Sequence, residues 1–173
     1  MIRTTAFLFG AAIAIFASTP AAAGELFGGL YVHDVKTPLD LSGIEPGLDV
    51  QFGYRAGRIK GTVLQPYAFA AVNSRGETSY ATAGVSARFG RRLYVRPGIG
   101  LAIHNGSAGK FQREDRVAFG SRILFEPELG IGVDLNDRLS VEASLVHLSH
   151  ARIFNRGQNP GIDNLGVRLN LKL

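Results

Sequence analysis

Three residues in the last third of the chain carry the side chains of an acyl-transfer site. They are His147, Ser149 and Asp163, within the stretch RLSVEASLVHLSHARIFNRGQNPGIDNLGVRLNLKL at residues 138–173. A serine hydroxyl is a weak nucleophile until a base takes its proton. A histidine two residues away on an extended chain projects to the same side and can be that base. A carboxylate within reach of the imidazole would fix its tautomer and stabilise its charged form. An HxS triplet also arises by chance where a strand runs into a polar loop, so the chemistry depends on the elements that hold the three groups.

Those elements read as two β-strands with one apolar face. Leu139, Val141, Ala143, Leu145, His147 and Ser149 fall on one side of the first strand; Ser140, Glu142 and Ser144 fall on the other, before Val146 and Leu148. In the second strand Asp163, Leu165, Val167, Leu169, Leu171 and Leu173 alternate with Asn164, Arg168, Asn170 and Lys172. Paired as a hairpin, the strands gather His147, Ser149 and Asp163 at the loop end, on the apolar side. Glu142 faces the other way and is a poor alternative acid. Reactive groups on an apolar face suit an outer-membrane barrel, whose apolar side meets lipid. The reading is an enzyme that hydrolyses a lipid from within the bilayer.

The upstream sequence predicts strands over 26–33, 47–55, 62–72, 78–89, 93–104 and within 117–135. With the final pair this makes eight strands, joined by connections that are short after the second, fourth and sixth and long after the first, fifth and seventh. The expected fold class is all-β, an eight-stranded antiparallel transmembrane β-barrel. Arg96, Glu126, Glu128, Glu142 and Arg168 lie mid-strand and are expected to pair inside it. Alternation alone leaves a second arrangement open, a lipocalin-like soluble periplasmic barrel that binds lipid within an apolar interior. Either barrel is too narrow for a wide pore.

Composition bounds the rest. At 173 residues the chain is one domain by size, and it contains no cysteine, so neither a disulfide framework nor thiol chemistry is available. The four histidines form no HExxH or Cys/His cluster, so no metal is expected and no cofactor is needed. Residues 1–23 resemble a cleaved signal peptide, with Arg3, a short apolar run and Ala21-Ala22-Ala23, leaving residues 24–173 as the barrel domain. Loss of Arg3 takes the formal charge from +5 to +4. For an exported chain this points to anionic lipid headgroups rather than nucleic acid. Lys110, Arg113, Arg116, Arg152 and Arg156 fall in the long loops, where they either pair with lipid phosphates or are simply solvated.

HLSHA at residues 147–151, NPGID at 159–163, the preceding RLSVEASLVHLS and, further upstream, FEPELGIGVDL at 125–135 resemble the outer-membrane lipid A 3-O-deacylases of the PagL type. The resemblance implies an eight-stranded barrel in the Gram-negative outer membrane. It implies hydrolysis of the ester at position 3 of lipid A, releasing a 3-hydroxyacyl chain, by a Ser-His-acid triad on the lipid-facing surface. His147 matches the base, Ser149 the nucleophile and Asp163 the acid, where the best-known members carry Glu. His150 stands where Asn is frequent, and Arg152 where a small residue is usual. These two are the oxyanion candidates, Arg152 through its backbone N–H. The expected partners are lipid A or lipopolysaccharide and the surrounding outer-membrane lipid, with a homodimer left open. The competing functions are a structural or adhesive barrel without activity, and an acyltransferase barrel.

Overall fold

The computed structural model describes residues 24–38, 43–109, 115–153, 157 and 159–173. The expected signal peptide at 1–23, and the loop cations Lys110, Arg113 and Arg156, lie outside them. Among the described residues nine strands follow one another: β1 Glu25–Val32, β2 Leu48–Arg55, β3 Leu64–Asn73, β4 Tyr80–Ala87, β5 Phe89–Gly90, β6 Leu93–His104, β7 Ile123–Asp134, β8 Leu139–Leu148 and β9 Ile162–Lys172. Each pairs antiparallel with its sequence neighbour along β1 to β4 and β5 to β9. β4 also pairs with β6, and β1 with β9, which closes the sheet. β4 and β5 are one stave interrupted at Arg88, so the barrel has eight. Arg88 bonds to Asp134 at 2.8 Å and lies 3.7 Å from the centre of the Tyr94 ring.

Burial along the strands decides which face is outside. On β6, Leu93, Ile99, Leu101 and Ile103 are exposed, Leu93 by 70 %, while Tyr94, Arg96, Ala102 and His104 are buried. On β9, Leu165, Val167, Leu169 and Leu171 are exposed and Arg168 and Asn170 are wholly enclosed. The apolar faces therefore form the outer wall and the charges fill the interior. This is the reverse of a soluble lipid-binding barrel, and it overturns that alternative. A continuous apolar exterior has no favourable contact with water but matches the hydrocarbon of a bilayer.

The interior has two parts. Towards the short connections, the Glu25 carboxylate accepts bonds from both Arg55 and Arg96. Arg96 pairs with Glu142 at 3.3 Å, and Arg168 with Glu128 at 2.9 Å and Glu142 at 3.3 Å. The Arg168 guanidinium also donates to the Tyr31 hydroxyl at 2.9 Å and lies over Phe27, 4.7 Å from its centroid. Enclosing so many charges is costly, and mutual attraction with shared hydrogen bonds offsets it. Towards the long loops apolar side chains enter the interior, Leu124, Val146, Leu148 and Ile162, beside buried Asn164, whose amide donates to the Tyr80 hydroxyl at 3.1 Å.

This upper end is stoppered by Val117 and Phe119. The expected strand region at 117–135 thus splits. Its first residues form an arm tied by Phe119 N to Ser107 O at 2.9 Å, and the strand proper begins at Ile123. Above the plug His33 sits between Asp49, 2.9 Å from Nδ1, and Glu45, 3.3 Å from Nε2. Burial works against its charge, but the two carboxylates outweigh it and push its pKa up to about 9. Glu45 also accepts the backbone N–H groups of Thr78 at 3.0 Å and Val117 at 2.9 Å, so one carboxylate joins three outer loops. Burial raises its pKa, but these bonds and that to His33 leave it below the usual carboxylate range.

Candidate active site

The register of β8 against β9 places His147 directly opposite Asp163. Residues paired across antiparallel strands share a face, so a direct opposition brings imidazole and carboxylate together without a turn or cofactor to help. His147 Nδ1 lies 2.7 Å from Asp163 Oδ1, and Nε2 lies 3.0 Å from Ser149 Oγ. With the carboxylate accepting from Nδ1–H, Nε2 is left as the acceptor for the serine hydroxyl. The structure therefore brings together the three residues read from the sequence as nucleophile, base and acid. Glu142 is enclosed among the interior arginines, on the far side of the wall.

Ser149 lies one residue beyond β8, yet its backbone is fixed. It exchanges bonds with Phe125 of β7: Phe125 N to Ser149 O at 2.7 Å and Ser149 N to Phe125 O at 3.2 Å. Three neighbouring staves thus fix the three groups: β8 carries His147, β9 carries Asp163, and β7 pairs with the backbone of Ser149. Exposure is graded: Asp163 is fully enclosed, Ser149 is 6 % exposed, and the His147 side chain is 16 % exposed. Leu165 and Ile123 are exposed nearby on the same strands, so the wall around the site is apolar.

Directly after Ser149 the chain reverses. Ala151 and Arg152 take φ of 51° and 61°, left-handed values that cost non-glycine residues about 1 kcal/mol each. Ile153 N bonds to His150 O at 2.9 Å, and Arg152 N donates to Asn159 Oδ1 at 3.3 Å. Of the two oxyanion candidates, the backbone donor of Arg152 is thus engaged by Asn159. His150 is fully buried, and neither ring nitrogen has a hydrogen-bond partner among the described residues. Arg152 is exposed, whereas Arg116 is paired with Glu77 at 3.2 Å.

Sequence reasoning missed two supports. Asn159 braces the turn, and Thr37 donates its hydroxyl to Asp163 Oδ2. Both act through loop contacts that carry no sequence periodicity. NPGID contained Asn159, but nothing in the loop at 34–45 pointed to Thr37. No group of three or more His, Cys, Asp or Glu suited to a metal ion occurs among the described residues.

A family model described as lipid A 3-O-deacylase (PagL) matches residues 31–172. No curated protein sequence matches significantly. Among solved structures, the crystal structure of the outer membrane enzyme PagL superposes with a TM-score of 0.57 at 16 % identity, covering 86 % of this chain and 99 % of that one. A de novo designed transmembrane β-barrel gives 0.57 at 9 % identity over 90 % and 98 % of the two chains. Neisserial surface protein A gives 0.56 at 12 % identity over 88 % and 99 %. These likenesses place the fold among outer-membrane barrels.

Proposed function

The chain belongs to the lipid A 3-O-deacylase (PagL) family, and from that premise we propose that it hydrolyses the ester-linked 3-hydroxyacyl chain at position 3 of lipid A, with Ser149, His147 and Asp163 as its triad. The observation that carries the reading is the unbroken hydrogen-bonded line from Asp163 Oδ1 through His147 to Ser149 Oγ, on the apolar outer wall. A soluble esterase would have its triad in a water-facing cleft. Here a hydrocarbon chain lying in the bilayer is already beside the nucleophile.

In this mechanism His147 Nε2 takes the proton of Ser149 as the Oγ attacks the ester carbonyl. The imidazolium is stabilised by Asp163, and its proton passes to the departing sugar 3-oxygen as the C–O bond breaks. Water, deprotonated by His147, then cleaves the acyl-serine and releases the 3-hydroxy acid. Of the two oxyanion candidates the enclosed His150 ring is out of reach, and the Arg152 N–H would have to leave Asn159 Oδ1 to serve; such a donor is worth about 3 kcal/mol. Residues 1–23 would direct export and be removed before insertion.

The test is mass spectrometry of lipid A from a Gram-negative host expressing the chain or its Ser149→Ala variant. Loss of one 3-hydroxyacyl mass with the first and not the second is the expected result. Unchanged lipid A, with folded protein in the outer membrane, would leave a structural barrel.

A further inference from the structure

The acid has two oxygens, and only one faces the histidine. A carboxylate turns about a broad terminal torsion, so a single bond from Oδ1 does not fix its plane. The second oxygen of Asp163 accepts a hydrogen bond from the Thr37 hydroxyl, which arrives from a different part of the chain.

The path of that loop explains how Thr37 gets there. The β1–β9 ladder ends with Val32 opposite Leu165. Two residues on, Asp34 takes φ of 50° and turns the chain across the neighbouring strand. Its N–H bonds to Asn164 Oδ1 at 3.0 Å, and Val35 N bonds to Asp163 O at 2.7 Å. The Asp34 carboxylate then accepts the N–H groups of Gly43 at 3.2 Å, Ile44 at 2.7 Å and Glu45 at 2.9 Å, which anchors the far end of the same loop. Aspartate tolerates the left-handed conformation better than most residues, which suits it to this corner. Asp163, fully buried, is thus met by this loop through both the Val35 N–H and the Thr37 hydroxyl.

Resting on the triad reading above, we propose that Thr37 is a positioning residue: its hydroxyl holds the plane of the Asp163 carboxylate so that Oδ1 stays on His147 Nδ1. Thr37 acts through the acid rather than on the substrate, so its loss lowers turnover and leaves substrate affinity alone.

The experiment compares the full folded chain with Thr37→Val, which keeps the branched shape but removes the hydroxyl, and with Thr37→Ser, which keeps the hydroxyl. Two quantities are read in detergent micelles: deacylation of lipid A, and the low-field NMR resonance of the His147 Nδ1 proton, with Asp163→Asn as the control that abolishes it. Thr37→Val is expected to lower kcat about tenfold with KM within about twofold, and to broaden the low-field resonance. Thr37→Ser should restore most of both. An unchanged rate and resonance in Thr37→Val would overturn the proposal, as would a Thr37→Ser variant equally impaired or an effect on KM alone. If Thr37→Val does not fold, Thr37→Ala takes its place. A wild-type chain that leaves lipid A intact but shows a Thr37-dependent resonance would sink the proposed reaction and keep the positioning role.

Discussion

The same two strands supply two polar clusters with opposite purposes. Inside the barrel, Glu142 of β8 and Arg168 of β9 oppose each other and join Arg96 and Glu128 in an enclosed ionic network. On the wall, His147 of β8 and Asp163 of β9 oppose each other five positions along and reach Ser149. Five is odd, so the two pairs face opposite sides of the sheet. Both contain buried carboxylates. The inner pair, Glu128 and Glu142, lie against Arg168 and link staves; the outer one aligns an imidazole whose far nitrogen meets a hydroxyl. Strand parity, rather than residue type, separates the interior charges from those of the proposed triad here.

The sharpest break in that comparison is Ser149→Ala. It is expected to lower deacylation by at least about a thousandfold while leaving heat-modifiable migration and the urea midpoint unchanged. A substantial residual rate would remove Ser149 as nucleophile. Asp163→Asn comes next: the fold should persist and kcat should fall by about a hundredfold or more, because an amide favours the wrong histidine tautomer. Loss of folding instead would move Asp163 into the structural class.

The inner cluster should behave in the opposite way. Arg168→Met leaves Glu128 and Glu142 short of a cation, at a cost of about 3–5 kcal/mol. Urea unfolding should show it, with the rate of the remaining folded fraction within about twofold of wild type. A large loss of turnover in folded protein would mean that the two clusters are coupled.

The smallest effect concerns His33 at the outer mouth. Its folded pKa is raised to about 9, above an unfolded value of about 6.5. The stabilisation is therefore fully present below about pH 6.5 and is lost as pH rises through about 9. Limited proteolysis of the outer loops should quicken between about pH 8 and about pH 10, and His33→Gln should flatten that rise. Equal cutting rates across the range would show that the carboxylates do not hold His33 charged.

Much of this was legible in the sequence because a strand writes its two faces in alternate letters. Leu139 to Ser149 and Asp163 to Leu173 gave the parity of the reactive side, and the mid-strand charges gave the interior. Alternation alone is symmetric about inside and outside; mid-strand charges of both signs pointed to the inverted arrangement, and the exposure of Leu93 and the burial of Arg168 bear it out. Also hidden were the arm at Val117 and Phe119, the interruption at Arg88 and the bonds from Thr37 and Asn159. Each rests on loop or side-chain contacts rather than on strand alternation, and such contacts leave no periodic trace.

The outward placement of Ser149 also changes what concentration means for this protein. A molecule anchored by several acyl chains reaches the barrel wall by lateral drift within one leaflet, a search in two dimensions. For the proposed reaction the governing variable would then be the number of substrate molecules per unit of membrane area, and adding detergent would slow it by dilution in the surface even when nothing in bulk solution changes.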